Sequence, residues 1–218
     1  MKESWASFFS NMLAVILGIF ITFTIQGMID RAHDRKDTRS SLELVRSELV
    51  RNIEDVTIIR DYLNQERRSA EYFLANKDSL DKCPSDSIGY HIGIIFADVS
   101  MSLSHDALEL LKMSSVFQKL GDNGLSMKII RAYDACGSIV TNVNRHISIR
   151  DSRFDDSVDK ETSAIYGKKG SIDIKDYLKT DYGLYIIESL ANHTGPEGIT
   201  DVADLEDAIQ AIDNYLKK

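Results

Sequence analysis

Proline is nearly missing from this 218-residue sequence: only Pro84 and Pro196 occur. Because proline removes a backbone donor and breaks helices, its scarcity leaves room for long ones. Cysteine is as rare. Cys83 and Cys136 have neither metal nor redox spacing, and two cysteines in a chain this long make no disulfide scaffold, so both are expected as free thiols. The five histidines (His33, His91, His105, His146 and His193) include no pair at i,i+4 and no H-E-x-x-H, which removes a zinc helix. No G-x-S-x-G elbow occurs either. Tyr166 to Ser171 (YGKKGS) resembles a phosphate loop only superficially, because it lacks the first glycine and the G-K-[ST] ending. With no catalytic, metal or nucleotide signature, the chain is expected to be non-enzymatic and to carry no cofactor.

Charge is present, and it is lopsided. Thirty-four acidic residues face 26 basic ones, for a formal net charge of −8. The excess lies mainly in the C-terminal third, at Asp155, Asp156, Asp159, Glu161, Asp173, Asp176, Asp201, Asp204, Glu206 and Asp207. An acidic surface repels phosphate backbones, so no nucleic-acid polymer is expected as a partner. Charged residues at 28 % and apolar ones at 43 % fit a folded domain, not a disordered tail.

Ala6 to Ile29 contains no charge, and Met12 to Ile25 reads MLAVILGIFITFTI. A run of this length spans about 30 Å of hydrocarbon at about 1.5 Å per residue, so the lipid bilayer is the expected partner. A cleaved signal peptide is the alternative, but the apolar stretch is long for one and no A-x-A-like site follows. Arg31, Arg35, Lys36 and Arg39 come directly after the helix, whereas only Lys2 precedes it. By the positive-inside rule the large domain is then cytoplasmic, on a single-pass protein of the bacterial inner (cytoplasmic) membrane. The arginines at 31, 35 and 39 form a stripe at four-residue spacing that suits topology or anionic headgroups. Within the apolar helix, Ser10, Ala14, Gly18, Thr22 and Gln26 share one face. Small side chains in such a row let helices approach closely in lipid, which suggests a homo-oligomer.

The soluble part reads as helical. Leu42, Val45, Leu49, Ile53, Val56, Ile59 and Leu63, with Ala70 and Phe73 beyond, step by threes and fours through one long amphipathic helix. Arg46, Glu48, Arg51, Glu54, Asp55, Arg60 and Asp61 fill its other faces as a solvated flank. Asn76 to Ser87 is a loop. Gly89 to Ser100 is ambiguous between strand and buried helix, with helix favoured by its neighbours. Ser102 or Ser104 is expected to cap a helix from His105 to Leu120, followed by a turn at Gly121–Gly124. Ile129, Tyr133, Cys136, Val140, Val143 and Ile147 mark a second long helix, reaching Phe154 or farther, that can pair antiparallel with the first. Thr162 to Asp176 is a mobile loop or short hairpin. Leu184, Ile187, Leu190 and Ala191 mark a shorter helix ending near Gly195 and Pro196. Thr200 or Asp201 caps a terminal helix through Val202, Leu205, Ile209, Ile212 and Leu216. The expected fold class is therefore mostly α. An anchor over 1–29 is followed by a juxtamembrane helix over 30–76, then by a soluble helical domain over 77–218 that packs with it.

The apolar anchor, LELVRSELVRNIED at Leu42 to Asp55 and SHDALELLKMSSVFQKLGDNGLSMKIIRAYD at Ser104 to Asp134 together carry a resemblance. The chain resembles a family of small single-pass membrane proteins of unknown function, common in Bacteroidetes-type bacteria, whose middle segment is similar to A-x-E-x-L-K-S-S-G followed by L-x-x-I and a tyrosine-bearing helix. Ala107, Glu109, Leu111, Lys112, Ser114, Leu120, Leu125, Ile129 and Tyr133 carry the match, with Ser115 at the second serine or glycine. The resemblance implies a membrane-anchored α-helical domain and supplies no activity.

One local cluster interrupts the acidic region. Arg145, His146, Arg150 and Arg153 sit near the end of the second long helix, where they form either an anion-binding group or one solvated flank meeting Asp151, Asp155 and Asp156. Asn192-His193-Thr194 matches a glycosylation acceptor, which has no meaning in a bacterial cytoplasm. The leading expectation is a membrane-anchored, self-associating scaffold with a possible protein partner. Its alternative is a membrane effector or sensor, in bacterial defence or stress, whose domain binds an anionic ligand or nucleotide messenger through that cluster.

Overall fold

The computed structural model describes residues 2–114, 116–165, 174–178, 180–192 and 195–217, with the side chains of residues 1–11, 13, 14 and 155–175 outside this description. It is mostly helical, with no strand among the described residues. Helix α1 runs without a break from Lys2 to Asn76. Its 75 residues extend roughly 110 Å at about 1.5 Å each. The N-terminal part is long and apolar enough to cross a membrane. None of the described residues folds back over it: Phe20 and Phe23 are 69 % and 73 % exposed. The apolar run is thus not the core helix of its own globule.

Beyond Arg35, α1 becomes the spine of a helical domain. Leu42, Val45, Leu49, Val56, Ile59, Leu63, Ala70 and Phe73 are all buried. The spine is flanked by α2 (Ser85–Ile95), α3 (Asp106–Met113), α4 (Val116–Lys119), α5 (Asn123–Ile165), α6 (Ile174–Tyr177), α7 (Asp181–Ala191) and α8 (Ala203–Leu216). Single 3-10 turns occur at Leu80–Lys82 and Pro196–Gly198. Three apolar clusters stack along α1. The first joins Leu42, Val45 and Leu49 to α3, α4, α5 and α8. The second centres on Val56, Ile59 and Leu63 with Ile139 and Val143. The third packs Ala70 and Phe73 against Ile186, Ile187 and Leu190.

The two long helices run parallel, not antiparallel as the matching seams suggest. Paired positions rise together: Glu48 with Tyr133, Asn52 with Cys136, Glu66 with His146 and Arg150. Parallel neighbours need a long return. Here α2, an extended stretch over 97–105, α3 and α4 carry the chain back toward the apolar end. The extended stretch has no sheet to satisfy its backbone, so asparagines replace one. Asn52 Nδ2 donates to Ser104 O at 2.8 Å while its Oδ1 accepts from Ser104 N–H at 3.1 Å. Asn144 grips Met101 in the same two-bonded way at 2.8 and 2.9 Å. Paired buried amides of this kind remove the cost of unmet backbone groups.

Several local expectations change. The region 89–100 is half helix and half extended. The helix expected over 105–120 is two helices, because Ser114 interrupts it and its Oγ accepts from Val116 N–H at 3.3 Å. Ser102 does not cap α3, and Ser104 approaches Asp106 N–H only at 3.5 Å. The cap comes instead from Glu48 on α1, whose Oε2 accepts from Ala107 N–H at 3.0 Å. Asp122 caps α5 by accepting from Leu125 N–H at 3.0 Å, which draws Asn123 and Gly124 into the helix. Gly121 makes the turn with φ +65°, a left-handed value that suits glycine. Asp201, not Thr200, receives the first N–H of α8. Residues 162–165 are helical and α6 follows from Ile174, while 166–173, including the YGKKGS segment, lie outside the described residues. Ser115, His193 and Thr194 lie outside them too.

Candidate functional site

Glu48 belongs to the interior, not to a solvated flank. It is 2 % exposed and takes hydrogen bonds from Ser104 Oγ at 2.6 Å, Tyr133 OH at 2.5 Å and the Ala107 amide. Burial pushes its carboxyl pKa up, but these donors outweigh burial and hold it below the ordinary carboxylate range. The same contact pushes the Tyr133 hydroxyl well up, burial contributing most. This network is fully satisfied and pins α3 to the spine. It has no open coordination for a ligand.

Eighteen residues along, Glu66 occupies the same face of α1, five turns on, and meets different partners. Its Oε2 is 2.8 Å from His146 Nε2, and its Oε1 accepts from Arg150 Nη1 at 2.8 Å. Arg150 is 5 % exposed and spends every guanidinium nitrogen: on Glu66, on Tyr62 OH at 2.7 Å, on Ala97 O at 2.9 Å and on Asp151 at 2.8 Å. Burial works against its charge, yet the interactions with Glu66, Tyr62 and Asp151 together more than compensate and raise its pKa. Arg150 is therefore a structural cation. Arg150 does bond Asp151, but from a buried position, while the side chains of Asp155 and Asp156 lie outside the described residues.

Above this buried layer lies a cleft of about 350 Å³ between α5 and α7. All four cluster residues, Arg145, His146, Arg150 and Arg153, line it, together with Ser189 and Leu190. They reach one opening because 142, 145, 146, 149, 150 and 153 fall on one side of α5. Arg145 has no hydrogen-bond or ion-pair partner among the described residues. Arg153 Nη1 donates to Ser189 Oγ at 3.0 Å, and its guanidinium lies 5.7 Å from the Tyr185 ring centroid. Neither charge is neutralised by a carboxylate among the described residues. A planar guanidinium left so can grip a phosphate or carboxylate in two-pronged fashion. Ile149, Leu190 and Ile199 give the cleft an apolar wall. The sequence reading missed Glu66, Asn142 and Ser189.

The anchor face is less informative. The side chains of Ser10 and Ala14 lie outside the described residues. Gly18 has open space around it. Thr22 Oγ1 donates to Gly18 O within the same helix at 2.8 Å, and Gln26 Nε2 donates to Asp30 at 3.0 Å. Their polar groups are spent locally. Cys83 and Cys136 are free thiols, and burial pushes Cys136 up to about 11. Among the described residues no group of histidine, cysteine and carboxylate side chains is arranged to hold a metal.

No protein-family model matches the chain, and neither the curated proteins nor the solved structures yield a relative. The family resemblance drawn from Ala107 to Tyr133 therefore rests on those residues alone.

Proposed function

We propose that this protein is a non-enzymatic, single-pass membrane sensor or effector whose soluble bundle, organised by two long amphipathic helices, binds a small organic anion between α5 and α7. The observation that carries the reading is the cleft with two guanidinium groups, Arg145 and Arg153, that meet no carboxylate among the described residues, over a floor fixed by Glu66. A cleft of about 350 Å³ suits a small ligand, and apolar walls beside the cations suit one with a flat body and an anionic end, such as a nucleotide. Because α1 is one helix from the apolar segment to Glu66, a ligand that shifts the floor acts on the same rigid element that meets the membrane. The basic residues at 31, 35, 36 and 39 support a cytoplasmic placement at a bacterial inner membrane.

Melting of the purified full chain against a nucleotide panel tests this. A binding nucleotide at about 100 times its Kd raises stability by about 2.7 kcal/mol. That gain is expected to vanish in Arg145→Ala and in Arg153→Ala, while Arg145→Ala alone leaves unliganded stability within about 0.5 kcal/mol. Indifference of every ligand response to both substitutions ends the reading.

Self-association as a scaffold is the second reading, favoured by the open space at Gly18 on an exposed apolar face. Mass measurement of the detergent-solubilised protein is expected to show an oligomer that Gly18→Leu reduces. A monomer in both samples removes it.

A further inference from the structure

The molecule has a second cationic cleft, at the other end of the soluble domain. It is wider, about 800 Å³, and lies where α1 leaves its apolar segment. Arg31, Arg35 and Arg39 enter it from α1, Lys119 from the end of α4, and Tyr215 from the end of α8. The arginine stripe of the sequence is thus one wall of a built hollow, closed by residues more than 80 positions away.

The cations divide into two fixed and two free. Lys119 Nζ is 2.7 Å from Asp34 Oδ1, which is the carboxylate of the lining. Arg39 is held by Glu43 at 3.0 Å and donates to Leu216 O at 3.2 Å. Arg31 and Arg35 have no hydrogen-bond or ion-pair partner among the described residues. Arg31 and Arg35 thus add two positive charges that no carboxylate among the described residues meets, in a chain whose net charge is −8. The acidic domain as a whole is repelled by an anionic surface, so the hollow is the place where contact is favourable.

Its height decides the ligand. The apolar run ends at Ile29, so Arg31 and Arg35 lie roughly 3 and 9 Å farther along the helix axis at about 1.5 Å per residue. A bilayer of about 40–45 Å with a hydrocarbon core of about 30 Å leaves headgroup layers of roughly 5–8 Å on each side. Arg31 therefore lies within the headgroup layer and Arg35 just past its outer edge, where a long side chain leaning toward the helix N-terminus reaches back to the lipid phosphates, beside a tyrosine of the kind that prefers the interface.

We propose that this hollow binds the phosphate of one anionic glycerophospholipid, and so fixes the soluble domain against the bilayer at a set angle. Two-pronged contacts from Arg31 and Arg35 hold the phosphate, and Lys119, itself placed by Asp34, closes the far side. The proposal rests on the membrane reading of α1 and is independent of the α5–α7 cleft.

The test uses the full chain in neutral detergent, with native mass spectrometry counting retained lipid during titration with phosphatidylglycerol, phosphatidylcholine or inorganic phosphate. Phosphatidylglycerol is expected to bind and phosphatidylcholine to bind far more weakly. Each basic residue near an anionic surface contributes about fivefold, so the double substitution Arg31→Gln with Arg35→Gln is expected to weaken phosphatidylglycerol about 30-fold. Lys119→Gln weakens it further by leaving Asp34 facing the hollow. The exposed pair Arg51→Gln with Arg131→Gln is the control and changes nothing. Equal loss in both doubles overturns the site, as does inorganic phosphate binding as tightly as the lipid. Flotation of the wild type with purely neutral vesicles is scored separately. A chain that floats but does not prefer phosphatidylglycerol sinks the hollow and leaves the anchor standing; one that prefers it without floating removes the anchor and, with it, the docking of the domain on the bilayer.

Discussion

Glu48 and Glu66 are two buried carboxylates on one helix face, and they are used in opposite ways. Glu48 meets neutral donors, a hydroxyl, a phenol and a helix amide, and its charge is absorbed as a cap for α3. Glu66 meets a guanidinium, Arg150, and an imidazole, His146, and holds them at the floor of an open cleft. A carboxylate satisfied by neutral groups can be replaced by another acceptor at moderate cost. One that balances a buried guanidinium cannot, because its removal strands a charge away from water.

The largest effect is therefore expected at Glu66. Glu66→Ala should lower unfolding free energy by about 3–5 kcal/mol in denaturant titrations of the full chain, by leaving Arg150 uncompensated. Combined with Arg150→Met, the loss should be smaller than the sum of the two single losses by about 0.5–3 kcal/mol. Additive losses would show that Glu66 is no counter-charge, and the contrast with Glu48 would fail.

A smaller effect is expected at Glu48. Glu48→Gln keeps the shape but trades a charged acceptor for a neutral one, costing about 1.5–3 kcal/mol. Its pH signature sharpens the comparison. The folded-state pKa of Glu48 is depressed, so its contribution is complete above the unfolded value of about 4.3 and is lost as pH falls through the folded value. His91, stacked on Tyr72 with Nδ1 3.0 Å from Ser69 Oγ, is likewise depressed, by burial. Its contribution begins to fade below the unfolded value of about 6.5. Stability should thus fall in two acid stages, and Glu48→Gln should erase only the lower one. Loss of the upper stage instead would mean that Glu48 and His91 are coupled. The smallest effect belongs to Arg145→Ala, which should be nearly silent in stability and visible only through ligand response.

Part of this contrast was legible in the residues. The buried row of α1 is Leu42, Val45, Leu49, Asn52, Val56, Ile59, Leu63, Glu66, Ala70, Phe73, alternating threes and fours without a slip. Polar residues stand inside that seam at 52 and 66, where an apolar count passes over them by taking Ile53 or by skipping to Ala70. On α5 the same spacing runs Leu125, Ile129, Ala132, Cys136, Ile139, Val143, His146, Arg150, so the seam ends in the two side chains that Glu66 receives. A polar residue at a core position of a helical pairing commonly fixes register, and the two polar ends meet here in one layer. Searching the seams for interruptions would have found Glu66.

What the sequence determined by itself is the helical character, the apolar segment and the inward faces of α1, α5, α7 and α8, because these follow from local periodicity and from the length of an uncharged run. It also grouped Arg145, His146, Arg150 and Arg153, since four residues within nine positions of a helix cannot be far apart. Only the tertiary structure decided that the long helices run parallel, that Glu48 caps a helix 59 positions away and that the arginine stripe meets Lys119. Those facts depend on the return path of the chain between α1 and α5. Periodicity records which face is apolar and is silent on what covers it.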